Sequence, residues 1–490
     1  MFKSIKTIGL FILILSGCAK VSDRDMAKIS GPIEIKNSTE AALSQNFFEN
    51  GEWPTEQWWE MFEDSQLNEL IELALKESPT LQKVLAKVEE AEAKAKKERA
   101  ALFPYLGIEY LEQWNYFSKN GFDRSFFPTL PGSPPIPATD NQIDLTLNFN
   151  YEIDFFGKNR NLYKASLNKA RAERAEAKQA TLMLTTLIVQ TYIELQTKFL
   201  KREILQKRCK DHEHLFELST SRNVFGIDPA IPTLEREKNI YEIEESLLNI
   251  DKEIILDRHM LNALIGVGPD QMLVSKPMQV IFERPFSIPA DLSSDLLARR
   301  PDLMAQIWHV EAAAAEIGAA KADFYPSVNL MAFAGLESLS FNQLLSWSSR
   351  EGGLIPALHL PIFTGGKLKA NLKNKVAAFN EETYRYNELL LNAAREVADQ
   401  ITILIATFDI LSRQINILET VQEQVQLQYS RYKQGINNFL TVLDKEDDLY
   451  FQSLKLFSDE RDYLLAVLKL VKALGGGYHS YSPLKPERQP

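Results

Sequence analysis

Cysteine is nearly absent from this chain of 490 residues, which contains only Cys18 and Cys209. So few thiols exclude a disulfide framework, and packing must hold the fold together. Beyond the N-terminus there is no run of 18 uninterrupted apolar residues, which predicts that no helix spans a membrane. The chain has 55 Lys and Arg against 66 Asp and Glu, so wholesale binding to nucleic acid is not expected.

The sequence also lacks the short motifs of common enzymes. Neither Gly-x-Ser-x-Gly nor His-Glu-x-x-His occurs, and Gly-Gly-Lys at 365–367 lacks the other residues of a phosphate-binding loop. The cluster of Cys209, Asp211, His212 and His214 has residue types that bind metals, and a metalloenzyme is its alternative interpretation. On a helix, His214 points away from Cys209, which disfavours a three-ligand site. We therefore predict no enzyme, no cofactor and no metal.

The N-terminus has the pattern of a bacterial targeting segment. Lys3 and Lys6 precede an apolar run at 8–15 that is too short to span a bilayer. The following Leu-Ser-Gly-Cys resembles a lipobox, which implies a signal peptide at 1–17 and acylation of Cys18, with palmitate among the acyl groups. Ala19 then points to the outer membrane of a Gram-negative-type cell, where several acyl chains make a firm anchor. An ordinary signal peptide with a chance cysteine is the alternative.

The chain contains two copies of one pattern. Pro79 matches Pro301 at an offset of 222 residues, as do Val-Glu and aromatic-Pro pairs that follow each of them. Further along, Gly226 matches Gly435 at an offset of 209. The first copy therefore has 13 additional residues, within a Pro-rich stretch at 118–141 that lacks periodicity. A period this long indicates the duplication of half a protein rather than a solenoid unit.

Residues 142–155 alternate strictly between apolar and polar side chains over fourteen positions. At about 3.3 Å per residue this strand is about 45 Å long, and a tilt of about 45° makes it cross a hydrocarbon core of about 30 Å. Weaker alternation predicts three further strands. Four strands cannot close a barrel, and open edges are not tolerated in lipid, so several chains would have to pool their strands. The alternative is a soluble one-sided sheet, which shows the same alternation.

Other segments predict very long helices. Residues 158–222 contain neither Gly nor Pro, and 65 residues of helix extend about 97 Å. Apolar residues recur with the 3.5-residue spacing of coiled coils at 188–199, 411–432 and 440–471. A soluble coiled-coil bundle fits these heptads equally well.

Three separated motifs resemble the TolC-like outer-membrane efflux proteins, and especially their NodT-type lipoproteins. WPTEQWWEMFEDSQLNELIELAL at 53–75 is similar to the opening motif of that family, and RYKQGINNFLTVLD at 431–444 is similar to its tip motif. VKALGGGY at 471–478 is similar to its terminal signature. The likeness covers nearly all of the mature chain, and it implies the outer-membrane duct of a tripartite efflux system, which exports substrates passively.

The resemblance implies a mainly α-helical fold with a membrane β-barrel. In the implied homotrimer, each subunit contributes four strands to one twelve-stranded barrel and its helices to a periplasmic coiled-coil tunnel. A periplasmic adaptor and an inner-membrane pump are the implied partners. The lipoprotein subtype favours a proton-driven pump, with an ATP-driven pump as the alternative, and the exported substrate is not implied. A lipid-anchored periplasmic scaffold without a pore is the alternative, but it leaves the alternation at 142–155 unexplained.

The predicted boundaries follow from the two copies. They are a signal peptide at 1–17, a lipid-anchored equatorial segment at 18–66, a first repeat at 67–266, an equatorial linker at 267–292, a second repeat at 293–474 and a tail at 475–490. Within the first repeat we expect strands at about 105–117 and 142–156 and helices at 158–222 and 231–265. Within the second we expect strands at about 326–336 and 353–363 and helices at 367–432 and 440–474.

The resemblance also implies roles for residues near the two helix turns. Leu440 and Asp444 match residues that constrict the periplasmic aperture, and Asp447 lies beside them where relatives carry a basic residue. A ring of carboxylates would attract cations and hold them between subunits. The alternative is a solvated acidic helix N-terminus, favoured by the macrodipole.

Both turns match the tips that dock the helical hairpin of the adaptor. The implied docking residues are Arg222, Gly226, Arg431, Tyr432 and Gly435. Alternatively, the two glycines only end their helices with a positive φ.

Overall fold

The computed structural model describes residues 26–33, 49–51, 53–118, 138–227, 229–271, 273–274, 287–289 and 299–479. Cys18 and the signal peptide, most of the Pro-rich stretch, most of the predicted linker and the end of the tail lie outside the described residues. The expectations for those segments therefore stay predictions.

The first half of the chain follows the predicted order of elements. They are β1 (Glu49–Gly51), a 3-10 helix (Trp58–Phe62), α1 (Ser65–Glu77), α2 (Pro79–Ala100), β2 (Tyr105–Tyr116), β3 (Thr139–Ile153), α3 (Lys158–Val224) and α4 (Ala230–Ile265). The carboxylate of Asp64 caps α1 by accepting a hydrogen bond from the backbone N–H of Leu67 at 3.0 Å. Proline at the first position of α2 loses no hydrogen bond, because that N–H would have no partner within the helix.

The second half repeats the first. Its elements are β4 (Ser287–Pro289), α5 (Pro301–Ala322), β5 (Ser327–Ser338), the short α6 (Phe341–Leu344), a 3-10 helix (Trp347–Ser349), β6 (Arg350–His359), α7 (Lys367–Lys433) and α8 (Phe439–Ala473). Helices α2 and α5 each have 22 residues, and α3 and α7 each have 67. The equal lengths agree with the duplication inferred from the two sequence offsets.

Strand β6 departs most from its predicted bounds. We expected it at 353–363, but it begins at Arg350 and ends at His359. Pro361 lies beyond this end. Pro356 lies inside the strand, which is possible because β6 is at an edge of the described sheet, where a missing N–H is tolerated.

The four long strands form one antiparallel sheet in the order β2–β3–β5–β6. Its register places Leu147 of β3 opposite Ile108 of β2 and Ala334 of β5. Because side chains alternate between faces, most apolar residues share one face and most acids and amides share the other, with Glu112 and Asn141 as polar residues on the apolar face. Much of the apolar face is open in the single chain, where Ile108 is 77% exposed and Trp114 is 73% exposed. The predicted strands and their one-sided pattern are therefore present.

Several small elements were not predicted. Strand β1 pairs in parallel with β4, far away in the chain, and the register places Asn50 beside Ile288. Helix α6 and the second 3-10 helix lie between β5 and β6. Elements this short have no periodic pattern that a sequence could show.

The chain divides into two compact units that differ from the two sequence repeats. One unit comprises Met1–Lys28, Glu89–Arg171 and Trp308–Tyr384, and it contains the sheet. The other comprises Ile29–Val88, Ala172–Ile307 and Arg385–Pro490. Each unit takes segments from both copies, so the repeats at 67–266 and 293–474 are not two separate compact domains.

The largest hydrophobic core lies in the second of these units. Trp58 and Trp59, from the opening motif, are buried there with side chains of α1, α3, α7 and α8. Tyr192 is fully buried beside them, and its hydroxyl donates to Asp64 and accepts from Gln66, both at 2.8 Å. The paired tryptophans are therefore part of the hydrophobic core.

One described helix departs from the expectation that none could span a membrane. Helix α7 contains an 18-residue window apolar enough to do so by length and composition, although 17% of that window is buried within the chain. A long helix with one apolar face and few charges can have this composition without entering lipid.

Candidate functional site

The turn between α3 and α4 and the turn between α7 and α8 have the same backbone. Gly226 has φ 68° and Gly435 has φ 70°, in the left-handed region. In each turn, the residue after the glycine donates its N–H to the carbonyl five residues earlier, at 2.8 Å and 2.9 Å respectively. This is the Schellman cap, which satisfies carbonyls that the helix end would leave unpaired. Helix capping thus accounts for both glycines, and their docking role stays a proposal.

The first turn carries an exposed apolar surface, which we call the first-turn patch. Its side chains are between 61% and 80% exposed: Val224, Phe225, Ile227, Ile231 and Leu234. The resemblance points to Arg222 and Gly226 in this turn. The apolar residues were not predicted, although they stand together in the sequence. Exposed apolar side chains grouped in this way are a candidate contact surface.

The second turn is stabilised by contacts among its own side chains. The ring of Tyr432 lies 5.1 Å from that of Phe439 and 6.5 Å from that of Tyr429. Asn438 caps α8 by accepting a hydrogen bond from the N–H of Thr441 at 3.0 Å. Helix α8 therefore begins at a fixed point, one residue before Leu440.

Asp447 lies near the start of α8 and contacts two side chains of α3. Arg208 approaches it with two nitrogens: Nε lies 2.5 Å from Oδ1 and Nη2 lies 3.1 Å from Oδ2. His212 Nε2 lies 2.8 Å from the same Oδ1. A two-point guanidinium–carboxylate pair is among the stronger polar contacts in proteins. We name these three residues the Asp447 cluster.

The electrostatics of the Asp447 cluster favour the ionised acid. Burial alone would raise the pKa of Asp447, but the hydrogen bonds from His212 and Arg208 outweigh it and lower the pKa from 3.8 to about 2. The side chain of His212 is only 7% exposed, and its Nδ1 has no partner among the described residues. Asp447 is therefore an ionised carboxylate that is paired within its own chain, and its assignment to the aperture stays a prediction.

Asp444 and Leu440 have different surroundings. The side chain of Asp444 is 63% exposed, and its nearest cation is Arg236 of α4, with Nη1 at 3.9 Å from Oδ1. Leu440 is half-buried. Of the two acids assigned to the aperture, Asp444 thus has the more solvent-exposed carboxylate.

The metal-like cluster at 209–214 is dispersed among separate contacts. Asp211 accepts a hydrogen bond from the hydroxyl of Tyr450 at 2.5 Å, while burial and then Asp211 raise the pKa of Tyr450. Cys209 is buried with Ile240 and Ile243 in a small hydrophobic cluster. With His212 bound to Asp447, the described residues of this segment do not converge on one point. Arg208 and His212 were missed as partners of Asp447 because more than 230 residues separate them in the chain.

A group of acids on the polar face of the sheet was also missed. Carboxylate oxygens of Asp144, Glu337 and Glu351 lie within 4.8 Å of one another, close enough to hold a metal ion. Gln142 donates hydrogen bonds to Asp144 and Glu337. Register explains the grouping, since Asp144 is directly opposite Glu337 and Glu351 is opposite the neighbouring position on that face. Exposed acids often gather in this way without an ion, so the group shows local negative charge only.

A family model described as outer membrane efflux protein matches this chain at residues 70–267 and 292–476. The match covers most of the chain and includes both turns, the Asp447 cluster and all four long strands. The chain belongs to the outer membrane efflux protein family. The family expected from the three sequence motifs is therefore confirmed.

Relatives of this efflux protein are named for export. It is 29% identical over 470 residues to the multidrug resistance outer membrane protein MdtP of Escherichia coli, with 95% of each chain covered. It is 27% identical over 426 residues to the toluene efflux pump outer membrane protein TtgF of Pseudomonas putida, with 87% of this chain and 86% of TtgF covered.

A solved structure agrees with the fold. The outer membrane protein VceC from Vibrio cholerae superposes with a TM-score of 0.76 and 30% identity, covering 87% of this chain and all of VceC. The efflux protein thus has the TolC-like fold. It is an outer-membrane efflux channel, as its sequence predicted.

Proposed function

We propose that this efflux protein acts as a homotrimer whose three sheets close one twelve-stranded barrel. The observation that carries the proposal is the pair of sheet edges. Among the described residues, β2 and β6 each pair with one strand only, while the apolar face of the sheet is open. Unpaired backbone groups cost several kcal/mol each in lipid, so edges must find partners on neighbouring copies.

The trimer is the passive duct of a tripartite efflux system and performs no catalysis. A proton-driven inner-membrane pump supplies the substrate, and a periplasmic adaptor joins the pump to the duct. The names of MdtP and TtgF, which refer to multidrug resistance and toluene, support small organic compounds as substrates. Acylation of Cys18 anchors each subunit in the outer membrane, as the lipobox-like sequence suggests.

The two turns between the long helices dock the adaptor. Arg222, Gly226, Arg431, Tyr432 and Gly435 shape them. The first-turn patch supplies apolar contact area for the adaptor's helical hairpin, because apolar surface that contacts a partner is shielded from water.

Leu440, Asp444 and Asp447 form the periplasmic aperture. Leu440 narrows it, and three copies of the exposed Asp444 give it a negative field that attracts cations. Asp447 acts differently, by holding α8 against α3 through Arg208 and His212. Opening of the aperture then requires α8 to move relative to α3.

A planar bilayer experiment tests the duct directly. The acylated protein is purified, its trimeric mass is confirmed, and current is recorded after it is added to the bilayer. We expect discrete, cation-preferring current steps, which heat-denatured protein does not produce. A confirmed trimer that gives no steps would contradict the duct and favour the pore-free scaffold.

A further inference from the structure

A short N-terminal segment lies along helix α7. The backbone N–H of Ala27 donates to the side-chain oxygen Oδ1 of Asn380 at 2.7 Å. The backbone N–H of Ser30 donates to Oδ1 of Asn387 at 2.8 Å. The contact of Ala27 lies within the compact unit that contains the sheet, and the contact of Ser30 lies within the other unit. Both asparagines therefore bind the backbone of the segment, whatever its side chains are.

The distance between the two N–H groups of the segment matches the distance between the two asparagines of α7. Seven residues are close to two helical turns, so Asn380 and Asn387 share a face of α7 about 10.5 Å apart. An extended chain with three residues per turn points the N–H groups of residues i and i+3 to the same side, about 9 Å apart. Ala27 and Ser30 have that separation in the sequence. Two asparagines two turns apart are thus suited to hold an extended segment parallel to the helix.

We propose that Asn380 and Asn387 hold residues 27–30 as a strap on α7, and that this strap sets where the lipid anchor enters the membrane. The second part rests on the acylation of Cys18 in the proposed function. The direction of the strap is the first argument. Ala27 contacts the asparagine nearer to Lys367, where α7 starts after the last strand of the sheet. The chain that precedes Ala27 therefore joins the strap at its end nearer to the strands.

The reach of the chain is the second argument. Nine residue steps separate Cys18 from Ala27, and they span at most about 30 Å. From Asn380 back to Lys367, α7 rises about 20 Å over 13 residues. An anchor at Cys18 therefore reaches the level at which α7 meets the strands, with about 10 Å to spare. The strap permits insertion of the acyl chains and also limits how far each subunit can move from the membrane.

Hydrogen exchange of the Ala27 and Ser30 amides tests the strap. Asn380→Leu and Asn387→Leu keep the approximate size of the side chain but remove the acceptor oxygen, whereas Asn380→Asp and Asn387→Asp retain an acceptor. We expect each leucine variant to speed exchange at its own partner amide roughly tenfold, and each aspartate variant to leave it slow. Unprotected amides in the wild-type trimer, or equal effects of Leu and Asp, would overturn the strap.

A deletion tests the link to the anchor. Removing residues 21–24 shortens the connection by about 13 Å, more than the spare length. In acylated protein we expect the Ala27 amide to lose its protection. Protection should persist when the same deletion is secreted with an ordinary signal peptide and Cys18→Ser. Protection that survives the deletion in acylated protein would overturn the positioning role.

Mass spectrometry of the N-terminal peptide separates the two levels of the proposal. An unacylated wild-type peptide would overturn both the lipid anchor of the proposed function and the positioning role. The strap itself would then be decided by the exchange of the Ala27 and Ser30 amides alone. An acylated peptide together with lost protection in the deletion variant supports the lipid anchor, the strap and the positioning role of the strap.

Discussion

Arg208 of α3 and Asp447 of α8 form a two-point ion pair, with nitrogen–oxygen distances of 2.5 Å and 3.1 Å. Their side chains are 26% and 31% exposed, so water screens the pair only partly. His212 adds a third contact to the same carboxylate. Two long helices are therefore held together close to the turn that we assign to the aperture, and this contact can be removed with a single atom change.

Asp447→Asn should make the channel open more readily. The amide keeps the shape of the carboxylate but loses its charge, so Arg208 is left partly buried without an anion. We expect the open probability in planar bilayers to rise roughly tenfold, which corresponds to a hydrogen-bonded charge contact of about 1.5 kcal/mol. Single-channel recording of wild-type and variant trimers at pH 7 provides the measurement.

Asp444→Asn is the matched control for that experiment. Asp444 is 63% exposed and has one cation at 3.9 Å, an arrangement that contributes little stability. We expect it to reduce the preference for cations while leaving the open probability unchanged. If both variants opened the channel equally, the Asp447 cluster would not be a specific restraint.

Acid should weaken the Asp447 cluster in a defined pH window. The pKa of Asp447 is lowered from 3.8 to about 2, so its ionised form stabilises the fold. That contribution is nearly complete above about pH 5, is lost as the pH falls through 3.8 toward 2, and amounts to at most about 2 kcal/mol. Urea unfolding should therefore show a wild-type advantage over Asp447→Asn that is about half as large at pH 3 as at pH 7. An advantage that is independent of pH would contradict this assignment.

Sequence patterns anticipated the parts of this fold that rest on periodicity. The alternation at 142–155 predicted β3, and the absence of Gly and Pro predicted α3 to within two residues of its end at Val224. The duplication carried these assignments to β6 and α7. The pairing of β1 with β4 was not predictable, because three residues carry no period and their partner is far away in the chain.

The candidate site was anticipated less well than the fold. Resemblance identified the glycines of both turns and the acids of α8, since those residues stand in local motifs. Nothing local indicated that Asp447 would meet Arg208 and His212, because the packing of α8 on α3 brings them together. The acids Asp144, Glu337 and Glu351 likewise became neighbours only through the strand register.

Gly435→Ala should weaken the second turn through the backbone alone. Gly435 has φ 70°, and no heavy atom lies within 4 Å of an added Cβ, so strain in the left-handed region is the only penalty. We expect about 1 kcal/mol of destabilisation and weaker binding of the adaptor. Gly435→Asn should lose less stability and less adaptor affinity, because asparagine tolerates this conformation. Gly268→Ala, also in open space but without a positive φ, should change neither quantity. Chemical unfolding and adaptor affinity are the two measurements.

Two neighbouring residues of β3 test which face of the sheet meets lipid. Leu147 lies on the apolar face near the middle of the strand, whereas Asn148 lies on the polar face and donates to Glu109 at 3.1 Å. Leu147→Arg should cost about 2–4 kcal/mol on insertion and remove the protein from the outer-membrane fraction. Asn148→Arg should insert normally and reduce the cation preference of the current, because it places a positive charge among the acids of the polar face, which we assign to the lumen. Fractionation of both variants with a blot for the trimer is the measurement. If Asn148→Arg were lost from the membrane and Leu147→Arg retained, the faces would be the reverse of those assigned here, and the acidic face could not line the channel.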